Sequence, residues 1–145
     1  MRFLGIDYGT KRIGLASGDE LGIASPMPAV LSADADAQDA AIGEVIRMRK
    51  ITGIVLGLPL NMDGSRGPAA ERVELFAERL GKKFGLPVVF VDERLTSSLA
   101  EQGMSQKELR DVRATGLVDS RAAALILQDY LDQRFPPPLP EELPE

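Results

Sequence analysis

Histidine, cysteine and tryptophan are all missing from this chain of 145 residues. Without histidine, the commonest general base and the commonest zinc ligand are gone. Without cysteine there is no disulfide framework and no thiolate metal site, which is compatible with the reducing cytoplasm we expect as its location. Acid–base chemistry is left to carboxylates, lysines, hydroxyls or a metal-bound water. Aromatics are few, two Tyr and five Phe, which argues against a platform that stacks the bases of a single strand. No apolar run approaches the ~20 residues of a membrane span, and no charged-then-apolar leader is read, so no membrane partner is expected. A basic excess is lacking too: the net charge is −5. Part of that sits in the tail FPPPLPEELPE, with Glu141, Glu142 and Glu145, and part in acids considered below as cation ligands. The remaining body is near neutral. Such a balance neither supports nor excludes a polyanion partner, but it disfavours nonspecific coating of DNA.

What is present is ordinary for one globular domain: 44% apolar and 27% charged residues. We read residues 1–135 as the domain. Residues 136–145 are a Pro/Glu-rich tail, too poor in apolar side chains to pack and expected to be disordered. Arg2–Asp7 reads as a strand and Arg12–Ser17 as its hairpin partner. Ile23–Leu31 carries Pro26 and Pro28, which suits an edge strand. Asp34 or Asp36 caps a helix to about Lys50, with Ala41, Ile42, Val45 and Ile46 inward. Gly53–Leu58 (GIVLGL) and Val88–Val91 (VVFV) have the wholly apolar pattern of strands buried on both faces. Between them a helix spans about Pro68 to Phe84, with the stripe Val73, Phe76, Ala77, Leu80. A helix capped by Thr96 or Ser97 reaches about Gly103, Ser105–Leu117 is polar and basic, and a last helix spans about Asp119–Arg134. Three hairpin-joined strands followed by helical crossovers make an α/β fold: a mixed five-stranded sheet with helices on both faces. Ligands of such sheets gather at the carboxyl ends of the parallel strands.

Three acids fall where this topology can gather them. Asp7 ends the first strand, Glu93 (beside Asp92) ends the last, and Asp119 opens the final helix. Three carboxylates without histidine form a hard-oxygen site suited to Mg²⁺ or Mn²⁺. Ions so held activate water and neutralise a phosphate under attack. Each acid also has a plainer role: Asp7 as a turn carboxylate, Glu93 as a surface partner of Arg94, Asp119 as a helix cap. Adjacent strand residues face opposite ways, so only one of Asp92 and Glu93 can join Asp7; the residues themselves leave that choice open. In GLPLNMDGSRGPAAE, Gly57, Gly64 and Gly67 let backbone approach a ligand, Ser65 or Asp63 caps the following helix, and its first amides with Arg66 suit a phosphate. Asn61 is within reach of the site. Lys11, Arg12, Arg94, Arg121, Lys107, Arg110 and Arg113 complete a candidate set of contacts to a nucleic-acid backbone.

The segments GIDYGTKRIGLA, GLPLNMDGS, VDERLTS and VDSRAAALILQDYL, in this order and spacing, resemble the YqgF (RuvX) family of bacterial pre-16S rRNA nucleases, relatives of RuvC-type Holliday-junction resolvases. The resemblance covers roughly residues 1–135. It implies a ribonuclease H-like fold with strand order 3-2-1-4-5 and Mg²⁺- or Mn²⁺-dependent phosphodiester hydrolysis. It assigns Asp7, Glu93 and Asp119 as the catalytic, metal-binding acids, and so selects Glu93 over Asp92. The implied substrate is the 5′ region of pre-16S rRNA, with a ribosome precursor among the partners and the protein a monomer or homodimer. A resolvase acting on branched DNA is the alternative, and a non-catalytic nucleic-acid or ribosome-associated module the second. Ile6–Thr10 also resembles the phosphate-binding hairpin of actin/hexokinase-type ATPases, but those need two lobes and this length supplies one.

Overall fold

The computed structural model describes residues 1–94 and 120–136. The expected helix at 96–103, the basic stretch 105–117 and the tail beyond Pro136 lie outside the described residues. Strands β1 (Arg2–Tyr8), β2 (Ile13–Asp19) and β3 (Ser25–Val30) lead into helix α1 (Ala35–Arg49). β4 (Gly53–Leu58), α2 (Pro68–Phe84), β5 (Val88–Asp92) and α3 (Arg121–Arg134) follow. They build one sheet in the order β3-β2-β1-β4-β5. The hairpin pairs β1/β2 and β2/β3 are antiparallel, whereas β1/β4 and β4/β5, joined through helices, are parallel. The mixed sheet and its order agree with expectation, and the proline-bearing β3 takes an edge.

Alternation along the strands divides the core in two. Leu4, Ile6, Ile54 and Leu56 face α1 and α2, meeting Ile42, Val73, Phe76 and Leu80. Phe3, Val55 and Val91 face the other way, onto Ala123, Ile126, Leu127 and Leu131 of α3. α3 lies unusually close to the sheet: a Cβ on Gly5 of β1 would stand 2.6 Å from Leu127 Cβ and 2.9 Å from the Ala123 carbonyl oxygen.

Local chemistry explains the element ends. Asp34 caps α1, its carboxylate accepting from the Ala37 amide at 2.9 Å. α2 differs from expectation. Gly67 occupies its cap position without a side-chain bond, and Pro68 supplies the first-turn signal. Asp63 instead accepts from the Ser65 amide and hydroxyl within the preceding loop. Two further expectations need correcting. β5 is an edge strand with Val89 and Phe90 37% and 44% exposed; its apolar run reads like a fully buried strand because periodicity does not record which strand ends the sheet. α3 begins at Arg121 with Ser120 as its cap residue in place of Asp119, and it buries Ala123, Ile126, Leu127 and Leu131.

Candidate active site

β1 and β5 are not neighbours; β4 lies between them. Their carboxyl ends are level, because the β4 register pairs Ile6 with Leu56 and Leu58 with Asp92. Glu93 extends the ladder by one more bond, its amide donating to the Leu58 carbonyl at 3.2 Å. Strand parity then sorts the acids. Asp7 shares the face of Phe3, and Glu93 the face of Val91, both facing α3. Asp92 faces the opposite way. The pleat thus selects Glu93 as the acid able to meet Asp7.

The two neighbours Asp92 and Glu93 live in contrasting surroundings. Asp92 stands at the surface in a forked pair with Arg94, whose Nε and Nη2 donate to Oδ2 at 2.9 and 2.6 Å. Those bonds and the Arg94 amide hold its carboxyl below the usual carboxylate range. Glu93 turns inward over β4. Burial pushes its carboxyl up to about 8, and a hydrogen bond with Asp7 and the charges of Asp7 and Asp92 push the same way. Two carboxyls on separate strands thus meet, and Glu93 holds its proton more tightly for it.

Oxygen donors, no sulfur or imidazole, and concentrated negative charge fit Mg²⁺ or Mn²⁺. Among the described residues no cluster of three or more potential ligands occurs; Asp7 and Glu93 are a pair. Asp119, the third expected acid, lies outside the described residues, one position before Ser120. Ser120 itself is fully buried. Its hydroxyl accepts from the Leu15 amide at 3.1 Å and donates to the Met27 carbonyl, bridging β2 and β3 where their ladder shifts register between Ile13 and Leu15. The start of α3 is thereby tied to the sheet.

Comparison with known proteins bears on this arrangement. The sequence model of the family RuvX, described as Holliday junction resolvase, matches residues 1–133. The chain belongs to the RuvX family. A relative from Opitutus terrae, named "Putative pre-16S rRNA nuclease", is 56% identical over 141 residues, 97% of each chain. One of the same name from Picosynechococcus is 45% identical over 132 residues, 90% of this chain and 92% of its own. Among solved structures, the fold is similar to Thermus thermophilus RuvC in complex with a Holliday junction (TM-score 0.53, 17% identity, 92% of this chain and 95% of that one). It is also similar to the fowlpox virus resolvase with its junction DNA (TM-score 0.56, 9% identity, 92% and 99%). The fold is accordingly ribonuclease H-like.

The remaining expected contacts of this RuvX-family chain are spread around the sheet edge. Lys11 and Arg12 are exposed in the β1–β2 turn, and Arg121 is half-buried at the first position of α3. Arg94 is committed to Asp92 and also donates to the Met62 carbonyl at 3.3 Å, tying the β4–α2 loop to the end of β5. Arg66 forms a forked pair with Glu74, at 2.8 and 2.6 Å, instead of turning to the first amides of α2. Asn61 donates to the Ser65 hydroxyl at 3.0 Å and braces its own loop. Lys107, Arg110 and Arg113 lie outside the described residues. Two features escaped the sequence reading: the inter-strand bridge made by Ser120 and the Arg94–Asp92 fork. Each involves a polar residue beside an expected site acid: Ser120 meets Leu15 and Met27, far away in the chain, whereas Arg94 pairs with Asp92, two positions before it.

Proposed function

We propose that the protein is a divalent-cation-dependent nuclease that hydrolyses phosphodiester bonds, with the 5′ region of precursor 16S rRNA as substrate. The observation that carries this reading is the meeting of Asp7 and Glu93 across β4, where burial, a hydrogen bond with Asp7 and the charges of Asp7 and Asp92 raise the Glu93 carboxyl. Acids gathered in this way offer the oxygen donors that suit Mg²⁺ or Mn²⁺. Asp7 and Glu93 would hold the ion, with Asp119, the residue before Ser120 in the sequence, as the expected third ligand. When bound, such a cation supplies charge neutralisation at the phosphate and activation of water. The chain supplies the rest. β1 and β5 fix two carboxylates on a rigid sheet edge, and α3 closes their lower side. Lys11 and Arg12, in the turn that leaves β1, offer charge to the phosphates of the bound strand. The names carried by close relatives support rRNA as the substrate.

The family description and the likeness to junction resolvases favour a second reading, cleavage of branched DNA. One experiment separates the readings: matched precursor-rRNA and four-way-junction substrates, with Mn²⁺, wild type against Asp7→Asn. We expect rRNA cleavage by the wild type and a loss on the order of 10³-fold in the variant, the scale of removing a group that acts on the reacting centre. Junction cleavage alone would favour the resolvase. Full activity of a folded Asp7→Asn protein would overturn the assignment, and no cleavage of either substrate would leave a binding module.

A further inference from the structure

Gly57 occupies the one β4 position that lies between Asp7 and Glu93 on the α3 face. It pairs with Val91 in the parallel ladder, one residue before the Leu58–Asp92 pair. A Cβ built on Gly57 would stand 2.6 Å from Glu93 Oε1, 2.7 Å from Glu93 Cδ and 2.5 Å from Ile126 Cδ1. Real Cβ atoms do not approach so near, so the carboxyl rests directly on the bare backbone of β4. Gly57 is not in a left-handed conformation, and glycine weakens a strand interior. Backbone freedom therefore does not account for it; missing volume does.

We infer that Gly57 is a positioning residue: its empty side-chain site is the passage through which Glu93 crosses β4 to reach Asp7. Any larger residue closes the passage and turns the Glu93 carboxyl away. The placement itself stands on geometry; its consequence for cation binding rests on the nuclease reading above. Gly57 touches neither the cation nor the substrate, and acts through Glu93.

The test separates these two layers. Without metal, in EDTA, Asp7→Asn and Glu93→Gln form a double-mutant cycle measured by denaturant unfolding, once in the wild-type background and once in the Gly57→Ala background. In the wild-type background, we expect the pair to change the folding constant by at least about threefold beyond the product of the single effects, and in the Gly57→Ala background we expect the coupling to vanish. Coupling that persists in the Gly57→Ala background overturns the inference. Should Gly57→Ala fold poorly, Ile126→Val in the same chain removes the competing Cδ1 and leaves only the Glu93 contact. The second readout is Mn²⁺ affinity by calorimetry. We expect at least a tenfold loss in Gly57→Ala that Ile126→Val does not restore, the scale of disturbing a residue that supports a metal ligand. Affinity recovered by Ile126→Val would make Gly57 a matter of helix packing and overturn its link to Glu93. A wild type that binds no Mn²⁺, with coupling still lost in the Gly57→Ala background, would sink the nuclease reading and leave the positioning role standing.

Discussion

Asp39 and Glu93 are both withdrawn from water, one in the helical layer on one side of the sheet and one on the other. The protein treats them oppositely. Asp39 on α1 is 5% exposed and is met by two cations of α2, Arg79 at 3.1 Å and Lys83 at 3.6 Å. Arg79 also donates to Gln38 at 3.1 Å and lies over the Phe76 ring at 5.0 Å. That acid is compensated from within and clamps two helices together. Glu93 is instead pressed against Asp7 with Asp92 next in sequence, and each of these pushes its carboxyl upward. The acid on the α1/α2 side is paired with cations, whereas the acid on the α3 side is raised by burial and by neighbouring carboxyls.

Exchange of each acid for its amide gives the largest contrast. Glu93→Gln should lower cleavage on the order of 10³-fold, while Asp39→Asn leaves turnover near the wild-type value. Stability should move the other way. Asp39→Asn leaves Arg79 without its charge partner and should cost roughly 1–3 kcal/mol, less than a fully buried pair because Arg79 is a third exposed. Glu93→Gln in metal-free buffer should be neutral or stabilising. Parallel denaturant curves and cleavage assays check both; a Glu93→Gln protein much weaker than wild type in EDTA would erase the distinction between the two sides.

The same comparison has a pH dependence. The folded-state value of Glu93, about 8, lies above the ordinary 4.5. Between those values the native carboxyl keeps a proton that the unfolded chain has released. Stability therefore falls as pH rises through that window, and the Glu93 contribution levels off above about 8. Urea unfolding in EDTA should show wild type losing ground to Glu93→Gln from pH 5 to pH 8. A difference between the two proteins that is flat across that range would mean Glu93 is not strained by its neighbours.

Much of this arrangement was legible in the residues. Prolines placed β3 at the edge, crossover lengths made β4 and β5 parallel, and the strand-ending acids Asp7 and Glu93 meet as the topology allowed. The choice between Asp92 and Glu93 was not legible from the residues alone, because both are acidic and adjacent. The β4 register, a long-range property, decides it. The inward-looking apolar run of β5 misled because a strand's place in the sheet depends on what lies beyond it. The pairing of Arg66 with Glu74 and of Arg94 with Asp92 was not read from their charges. Ser120 was hidden for a related reason. The residues alone put the cap at Asp119, and the Ser120 hydroxyl serves two strands far away in the chain. Ser120→Ala should strand a buried Leu15 amide and cost about 1–3 kcal/mol, seen as a lower urea midpoint.

The smallest effect belongs to Arg66 and is informative because it is small. Its pair with Glu74 is solvent-exposed, so Arg66→Ala should change stability by less than about 1 kcal/mol. If Arg66 only serves that pair, nothing else moves. If it leaves Glu74 to meet a phosphate of the bound strand, the salt dependence of binding must record it. One phosphate contact fewer reduces the slope of log affinity against log salt by roughly 0.7 for single-stranded nucleic acid. Binding of a precursor-rRNA fragment to Asp7→Asn, with and without Arg66→Ala, over a salt series reads that slope without cleavage. A changed slope places the β4–α2 loop on the substrate path; an unchanged slope with unchanged affinity confines Arg66 to bracing α2, and moves the search for phosphate contacts to Lys11 and Arg12 across the sheet edge.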